Sequence, residues 1–336
     1  MARTIFKIGG ATGFLAARFE RGFFGTRLLT TSDGEEVQVP KRGSVRQIVS
    51  DGDTVNVSTE ANFSVRFLGI DTPESSLISP DTGRFIATDS DIFQRLLADP
   101  FGAEFDANEG LDPALQAYLQ AKASPDATAV HKAYAEAAED ALEAFILEDQ
   151  ASLGTEVFFL AFAYDSLDGF GRLLAYLHPN QPDTPRAERL PSYNARLLET
   201  GLAAPYFIFP NVDPFRARGS PVEAAAMAQN PQTILDNAPS LRAARSAVAA
   251  ARAEGRGVFD PVKPLGFEAF EFRFLARRSL PTRWVMNLSG DAARLLPPQR
   301  YFEIENLEDR LFVPPEFVPL FATAGWDIEG DVMAML

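Results

Sequence analysis

Hydrophobic and polar residues alternate in two short stretches around residue 60. Residues 54–57 alternate after a turn-forming Asp-Gly-Asp sequence at 51–53, and a second apolar-rich run covers 63–70. Alternation with a period of two residues, bounded by turn residues, is typical of β-strands. Pro73 lacks a backbone donor and ends the second run. The pattern therefore predicts two strands joined by a polar turn at 58–62.

Arg66 lies in the middle of the second predicted strand, whose two faces are both largely apolar. One face carries Phe63, Val65 and Phe67, and the other carries Ser64, Arg66, Leu68 and Ile70. Burial of an unpaired guanidinium is costly, so Arg66 requires anionic partners or a cleft. Asp53, Asp71 and Glu74 lie at the ends of the two strands. We expect these carboxylates to converge beside Arg66.

The remaining pattern predicts further helices and strands. Helices are predicted at 91–98, 113–121, 131–149, 192–200 and 240–254, and strands at 45–49, 156–164 and 172–177, with a hairpin over 28–39. Ser192 is the predicted N-cap of its helix, and Gly201 is the residue that ends it. After residue 260, phenylalanines alternate with charged residues at 270–274, which predicts strands in a small β-rich C-terminal domain.

Four sequence blocks together resemble the staphylococcal-nuclease-like (thermonuclease) family. They are DGDT at 51–54 with an Arg-bearing strand and DTPE at 71–74, DGFGR at 168–172 with its following strand, NARLLETGLA at 194–203, and a closing helix over 243–259. The blocks follow the family's order and cover about residues 45–260. One block alone is weak evidence, whereas four in order make a specific signal.

This resemblance implies a fold and a division of the chain. The fold is an OB-type Greek-key barrel of five strands, mainly β with helices and thus α+β in content. The nuclease-like domain over 45–260 carries a long insertion at 75–130, which either covers the site or is an inert elaboration. An N-terminal extension, 1–44, precedes it, and the accessory β-rich domain, 261–336, follows it.

The resemblance also implies a catalytic site. Positions matching Asp53, Asp71 and Thr72 bind Ca²⁺ in the family, the last through its carbonyl oxygen. The position matching Glu74 is the general base that activates water, and Arg66 and Arg172 match the pair that stabilises charge on phosphorus. From the residues alone, Asp53 is equally a turn residue, and each arginine is equally part of an internal ion pair. The motif as a whole favours the metal site.

Two departures from the family pattern concern substrate recognition. The Lys-Tyr pair that usually precedes the second arginine is replaced by Gly169-Phe170. After Gly201 the family offers tyrosines, whereas this chain has the candidate base-stacking residues Tyr206, Phe207 and Phe209. Aromatic contact, including that of Phe170, is retained on this interpretation. Recognition of phosphates away from the scissile bond is placed in question.

Charge and composition set the range of functions. The net charge is −15, concentrated in 45–260, which argues against nonspecific binding of polyanions. Cysteine is absent, which excludes disulfides and thiolate metal sites. No apolar run reaches the length of a membrane span, so no membrane is expected, and the chain is expected in the cytoplasm, with secretion as the alternative.

The sequence thus predicts a Ca²⁺-dependent phosphodiesterase that cleaves single-stranded DNA or RNA and leaves 3′-phosphates. The alternative is a catalytically weak or inactive nuclease-like domain that binds protein or nucleic acid. Degenerate domains of this kind usually lose their arginines or the glutamate, and Arg66, Glu74 and Arg172 are all present. A protein partner is expected, if anywhere, at 261–336.

Overall fold

The computed structural model describes residues 64–79, 81–105, 110–168 and 172–330, together with the backbone of four strands before residue 60. Contacts among Cα atoms divide the chain into two compact units. One comprises residues 1–66 and 167–173, and the other comprises 67–166 and 174–336.

The elements follow one another with these bounds. The strands are β1 Ala17–Phe19, β2 Thr26–Thr30, β3 Glu36–Pro40, β4 Val57–Thr59, β5 Val65–Phe67, β6 Gly69–Asp71, β7 Ser76–Ile78, β8 Phe85–Ala87, β9 Phe158–Leu167, β10 Leu173–Pro179, β11 Ala204–Ile208, β12 Trp284–Asn287, β13 Arg294–Leu296, β14 Arg310–Val313 and β15 Asp327–Ile328. The helices are α1 Asp91–Ala98, α2 Pro113–Ala121, α3 Ala127–Leu153, α4 Tyr193–Glu199, α5 Pro221–Met227, α6 Pro231–Asp236, α7 Pro239–Ala253, α8 Ala269–Ala276 and α9 Val318–Thr323.

In the smaller unit, β1 pairs with β4 and β2 pairs with β3, both antiparallel. The β2–β3 pair confirms the hairpin predicted at 28–39. The strand predicted at 45–49 and the turn at 51–53 lie outside the described residues.

A six-stranded sheet organises the larger unit, with the order β15-β13-β12-β14-β11-β6. Strand β11 runs parallel to β14 and antiparallel to β6, and Ala204 lies opposite Asp71. The C-terminal strands therefore continue the sheet that carries Asp71, the first residue of the Asp-Thr-Pro-Glu sequence. The domain boundary at 260 stays a prediction from sequence.

Two large hydrophobic clusters pack in this unit. The first joins the end of β11 to α5, α6, α9 and β12–β14, with Phe209, Trp284 and Phe321 among its buried residues. The second joins the segment predicted as an insertion to α8, and the Phe93 ring meets that of Phe272 edge-on at 5.3 Å. The segment over 75–130 thus supplies buried core side chains.

Local sequence signals predicted most helices well. Helices α1 and α2 have the predicted bounds, and α3 extends beyond the predicted 131–149 at both ends. The Ser192 hydroxyl accepts a hydrogen bond from the Ala195 N–H at 3.2 Å, and Gly201 adopts φ of +73° after α4. These two observations confirm the predicted cap and stop.

Among the described residues the fold is mixed α+β, with 44% helical and 18% in strands, so helix predominates over strand there. Within the described residues the sheets are open, and the barrel stays unconfirmed. The strand predicted at 270–274 is wrong, because these residues form α8. There Glu271 points into the interior and accepts hydrogen bonds from Lys122 and the Tyr301 hydroxyl. In a strand, Glu271 would lie on the face opposite to the phenylalanines, toward solvent.

Candidate functional site

Asp71 and Glu74 converge on a guanidinium from the C-terminal part of the chain. Arg273 Nη1 and Nη2 donate to Asp71 Oδ1 and Oδ2 at 3.0 and 2.7 Å. Arg273 Nη1 also donates to Glu74 Oε1 at 2.5 Å. One cation therefore joins two carboxylates that the sequence predicted to lie together.

The two carboxylates differ in their exposure to water. Asp71, at the end of β6, is 3% exposed, whereas the side chain of Glu74 retains 23% exposure beyond Pro73. Burial works against the charged form of Arg273. The attraction of Asp71, its hydrogen bonds and the nearby Glu74 outweigh burial and raise the pKa of Arg273 above its ordinary value. Arg273 stays protonated at every working pH.

His131 closes the other side of Glu74. The Glu74 N–H donates to Nδ1 of His131 at 3.1 Å, and the imidazole lies edge-on to Phe272 with ring centroids 5.1 Å apart. The ring is fully buried, and that burial lowers the pKa of His131 to about 4. Nδ1 also lies 3.2 Å from the Glu74 carbonyl oxygen, so its role as donor or acceptor depends on the tautomer, and Nε2 has no hydrogen-bond partner among the described atoms. The sequence blocks do not place His131 beside Glu74.

The two predicted arginines belong to the smaller unit, while Asp71, Thr72 and Glu74 belong to the larger one. Arg66 is half-buried on β5. Arg172 Nε donates to Asp168 Oδ2 at 2.6 Å, and its backbone N–H donates to Oδ1 at 2.9 Å. Asp168 thus bonds both the backbone and the side chain of Arg172. Asp53 lies outside the described residues, so the single pocket formed by all these groups stays a prediction.

The aromatic candidates divide into buried and partly exposed residues. Phe207 and Phe209 are buried in the core, where Phe209 meets Phe215 and Phe321 edge-on. Their rings contribute to packing and present no free face to a base. Tyr206 is half-buried and stacks on Phe270 at 5.5 Å. Phe170 lies outside the described residues.

Asn194 and its helix hold the strand that leads into this site. Asn194 Nδ2 donates to the carbonyl of Leu68 at 2.8 Å, and its Oδ1 accepts from the Leu177 N–H at 3.0 Å. The buried amide therefore fastens α4 to the residue before β6 and to β10. This explains why a block that resembles the family carries an asparagine at this position.

Comparison with known proteins gives no assignment. Neither protein-family models nor curated proteins nor solved structures match this chain. The thermonuclease resemblance consequently rests on the sequence blocks. In the part of the chain that the structure describes, no helix is long and apolar enough to cross a bilayer.

The oxygen atoms of the described residues bear on the predicted calcium site. Ca²⁺ takes six to eight oxygen ligands. Both oxygens of Asp71 already accept hydrogen bonds from Arg273, and the described residues contain no group of three or more His, Cys, Asp or Glu suited to a metal. In the described arrangement a guanidinium bonds both oxygens of Asp71, and the predicted ligand Asp53 lies outside the described residues. Calcium dependence stays a prediction from the resemblance.

Arg273 was missed because the sequence interpretation placed it on a strand. One local signal pointed to a helix instead. Glu268 and Glu271 have the spacing of a capping box, and the Glu268 N–H donates to Glu271 Oε2 at 2.8 Å at the start of α8. This spacing suggests the helix but not the long-range ion pair that Arg273 makes.

Proposed function

We propose that this chain is a phosphodiesterase of the thermonuclease type, acting on single-stranded DNA or RNA. Glu74 takes a proton from water, the water oxygen attacks phosphorus, and the bond to the 5′ oxygen breaks. The leaving 5′ oxygen takes a proton from solvent, so the products are a 3′-phosphate and a 5′-hydroxyl. Arg66 and Arg172 stabilise the negative charge that grows on the phosphoryl oxygens.

One structural observation supports this assignment. Asp71 and Glu74, separated by Thr72 and Pro73, approach the same Arg273 nitrogen at 3.0 and 2.5 Å. The Asp-Thr-Pro-Glu sequence therefore holds a buried carboxylate next to one that water reaches. A base must be accessible to water and fixed in direction, and Glu74 meets both conditions.

The second candidate is a non-catalytic nuclease-like domain that binds protein or nucleic acid. Arg273 favours it, because its two bonds to Asp71 compensate the carboxylate that the resemblance assigns to calcium. A buried ion pair of this kind is also a structural feature in many proteins without activity. The two candidates make different predictions about cleavage and about binding.

Cleavage of denatured DNA and of RNA, with added Ca²⁺ or with a chelator, separates the two. The phosphodiesterase is expected to cleave with Ca²⁺, and Glu74→Gln is expected to lower the rate by roughly 10²–10⁴-fold. Arg66→Gln and Arg172→Gln are expected to lower it by about as much as loss of one stabilising donor, 10²–10³-fold. Glu139→Gln is the matched control, since Glu139 is exposed on α3.

Absence of cleavage by the wild-type protein under all of these conditions would reject the phosphodiesterase. Retained binding to a single-stranded oligonucleotide would then support the second candidate. Cleavage that Glu74→Gln leaves unchanged would assign the activity to other residues or to a contaminant.

A further inference from the structure

Arg283 is a second cationic side chain near the Asp71–Arg273 pair, and no sequence block includes it. It immediately precedes β12 and is half-buried. Its Nη1 donates to the Tyr206 hydroxyl at 2.9 Å, and its guanidinium carbon lies 5.7 Å from the centre of the Tyr206 ring. Tyr206 therefore fixes the position of the Arg283 head group.

Arg283 lacks an anionic partner among the described residues. Its one hydrogen bond there is from Nη1 to Tyr206, its Nε–H is buried away from solvent, and Nη2 is the donor left for an outside anion. Arg273 and Arg310, in contrast, each bind a buried carboxylate. An arginine taken partly out of water without a counter-ion is unfavourable, and a guanidinium with unused donors is suited to an anion from outside the chain.

Tyr206 links Arg283 to the candidate site. On β11 it lies opposite Gly69, and Ala204, two residues earlier, lies opposite Asp71. The Tyr206 ring stacks on Phe270, which is three residues before Arg273 in α8. The same tyrosine contributes to raising the pKa of Arg273. Tyr206 therefore contacts Arg283 and also influences Arg273, and it connects Arg283 to the ion pair.

The charges at this place favour an anion at Arg283. Arg273 compensates the nearby carboxylates of Asp71 and Glu74 by direct hydrogen bonds. This lessens the repulsion that the carboxylates exert on an incoming anion, while Arg283 keeps its own charge. The planar fork of a guanidinium matches two oxygens of a phosphate group.

We infer that Arg283, held by Tyr206, is a subsite for a phosphate group of a nucleic-acid strand, connected through Tyr206 to the Asp71–Arg273 pair. The identity of the ligand as nucleic acid rests on the proposed function. The subsite supplies phosphate contact away from the scissile bond, for which the sequence blocks offer no residue. Tyr206 holds the arginine through its hydroxyl, and its ring stacks on Phe270.

Binding of two probes to the full chain, in the presence of a chelator, tests the subsite without relying on activity. The probes are inorganic phosphate and a 5′-phosphorylated thymidine tetranucleotide, measured by calorimetry. Arg283→Gln is expected to raise the Kd of the tetranucleotide by about tenfold or more, as loss of a charge-assisted hydrogen bond does. Arg283→Lys is expected to restore part of this loss. Arg277→Gln removes the same charge from an exposed position directly after α8, and it is expected to change the Kd of the tetranucleotide little.

Tyr206→Phe separates binding from a merely structural role. It removes the hydroxyl that holds Arg283 and keeps the ring that stacks on Phe270. If Arg283 is a phosphate subsite, Tyr206→Phe binds the tetranucleotide more weakly than the wild-type protein does. The thermal stability of Arg283→Gln is then expected to stay close to that of the wild-type protein. A variant set that loses stability but binds as tightly as wild type would overturn the inference.

The probes also distinguish this inference from the proposed function. Binding that depends on Arg283 in a protein without cleavage supports the subsite and rejects the phosphodiesterase. Cleavage with tetranucleotide binding that Arg283→Gln leaves unchanged overturns the subsite alone. Binding of inorganic phosphate but not of the tetranucleotide supports an anion site and overturns its assignment to a nucleic-acid strand.

Discussion

Arg273 holds both oxygens of Asp71 at 3.0 and 2.7 Å, although 202 positions separate the two residues in the chain. The carboxylate is 3% exposed, so it is buried with the guanidinium as its charge partner. Removal of one member of a buried pair leaves an uncompensated charge, which costs far more than the net value of the pair. The ion pair is therefore a link between the Asp-Thr-Pro-Glu sequence and α8 that the fold depends on.

Arg273→Met is expected to lower the free energy of unfolding by about 3–5 kcal/mol, because the buried Asp71 carboxylate then loses the guanidinium that donates to both of its oxygens. Denaturant unfolding measures this change. Arg277→Met on the neighbouring exposed position is the control, with an expected effect within about 0.5 kcal/mol. Adding Asp71→Leu to Arg273→Met is expected to recover part of the loss. A double variant that is no more stable than the single one would show that the pair is not the cause.

Phe93→Ala tests the role of the segment at 75–130. Phe93 is fully buried against Phe272, so truncation is expected to cost about 3–5 kcal/mol of unfolding free energy. Phe85, in the same segment, is 67% exposed, and Phe85→Ala is expected to cost less than about 0.5 kcal/mol. Equal, small effects of both changes would support a peripheral elaboration instead of a core segment.

His131 predicts a dependence of stability on pH. The pKa of the buried imidazole is lowered to about 4 from 6.5, so the folded state binds this proton less readily than the unfolded state. The stability it contributes is fully present above pH 6.5 and is lost as the pH falls toward 4, by roughly 3 kcal/mol in total.

His131→Asn removes the titrating group and retains an oxygen near the position of Nδ1. Urea unfolding of both proteins between pH 4 and 7 isolates the His131 contribution as the difference between the two curves. The wild-type curve is expected to fall more steeply over this range. Parallel curves would contradict the lowered pKa.

Gly201→Ala tests the close approach of two chain segments. Gly201 has φ of +73°, and an added Cβ would lie against the carbonyl of Arg256, well inside van der Waals contact. Strain and clash together are expected to cost more than about 2 kcal/mol of unfolding free energy. Gly154→Ala is the control, because Gly154 has φ of +66° with no atom near the added Cβ. Gly154→Ala is expected to lose only about 1 kcal/mol of unfolding free energy, the cost of placing alanine in a left-handed backbone conformation. Equal losses of unfolding free energy in the two variants would exclude a clash at Gly201.

Local sequence determined the elements whose signals lie within a few residues. The helices at 91–98 and 113–121 have the predicted bounds, because a local apolar period specifies a helix without distant partners, and Asp112 also caps the second helix. The Ser192 cap and the Gly201 stop are equally local. The sequence also brought Asp71 and Glu74 together, since three positions past a strand end leave little room for separation.

The tertiary structure decided which cation lies between them and where the C-terminal residues pack. The alternation of Phe270, Phe272 and Phe274 is compatible with a strand, and the burial of Glu271 against Lys122 and Tyr301 favours the helix instead. Burial of a charged residue depends on partners from distant parts of the chain, which no local pattern contains. For the same reason, the sequence alone did not specify the contacts of Arg273 with Asp71 and of Arg283 with Tyr206. These contacts follow from the packing of α8 and from the position of β12 within the sheet.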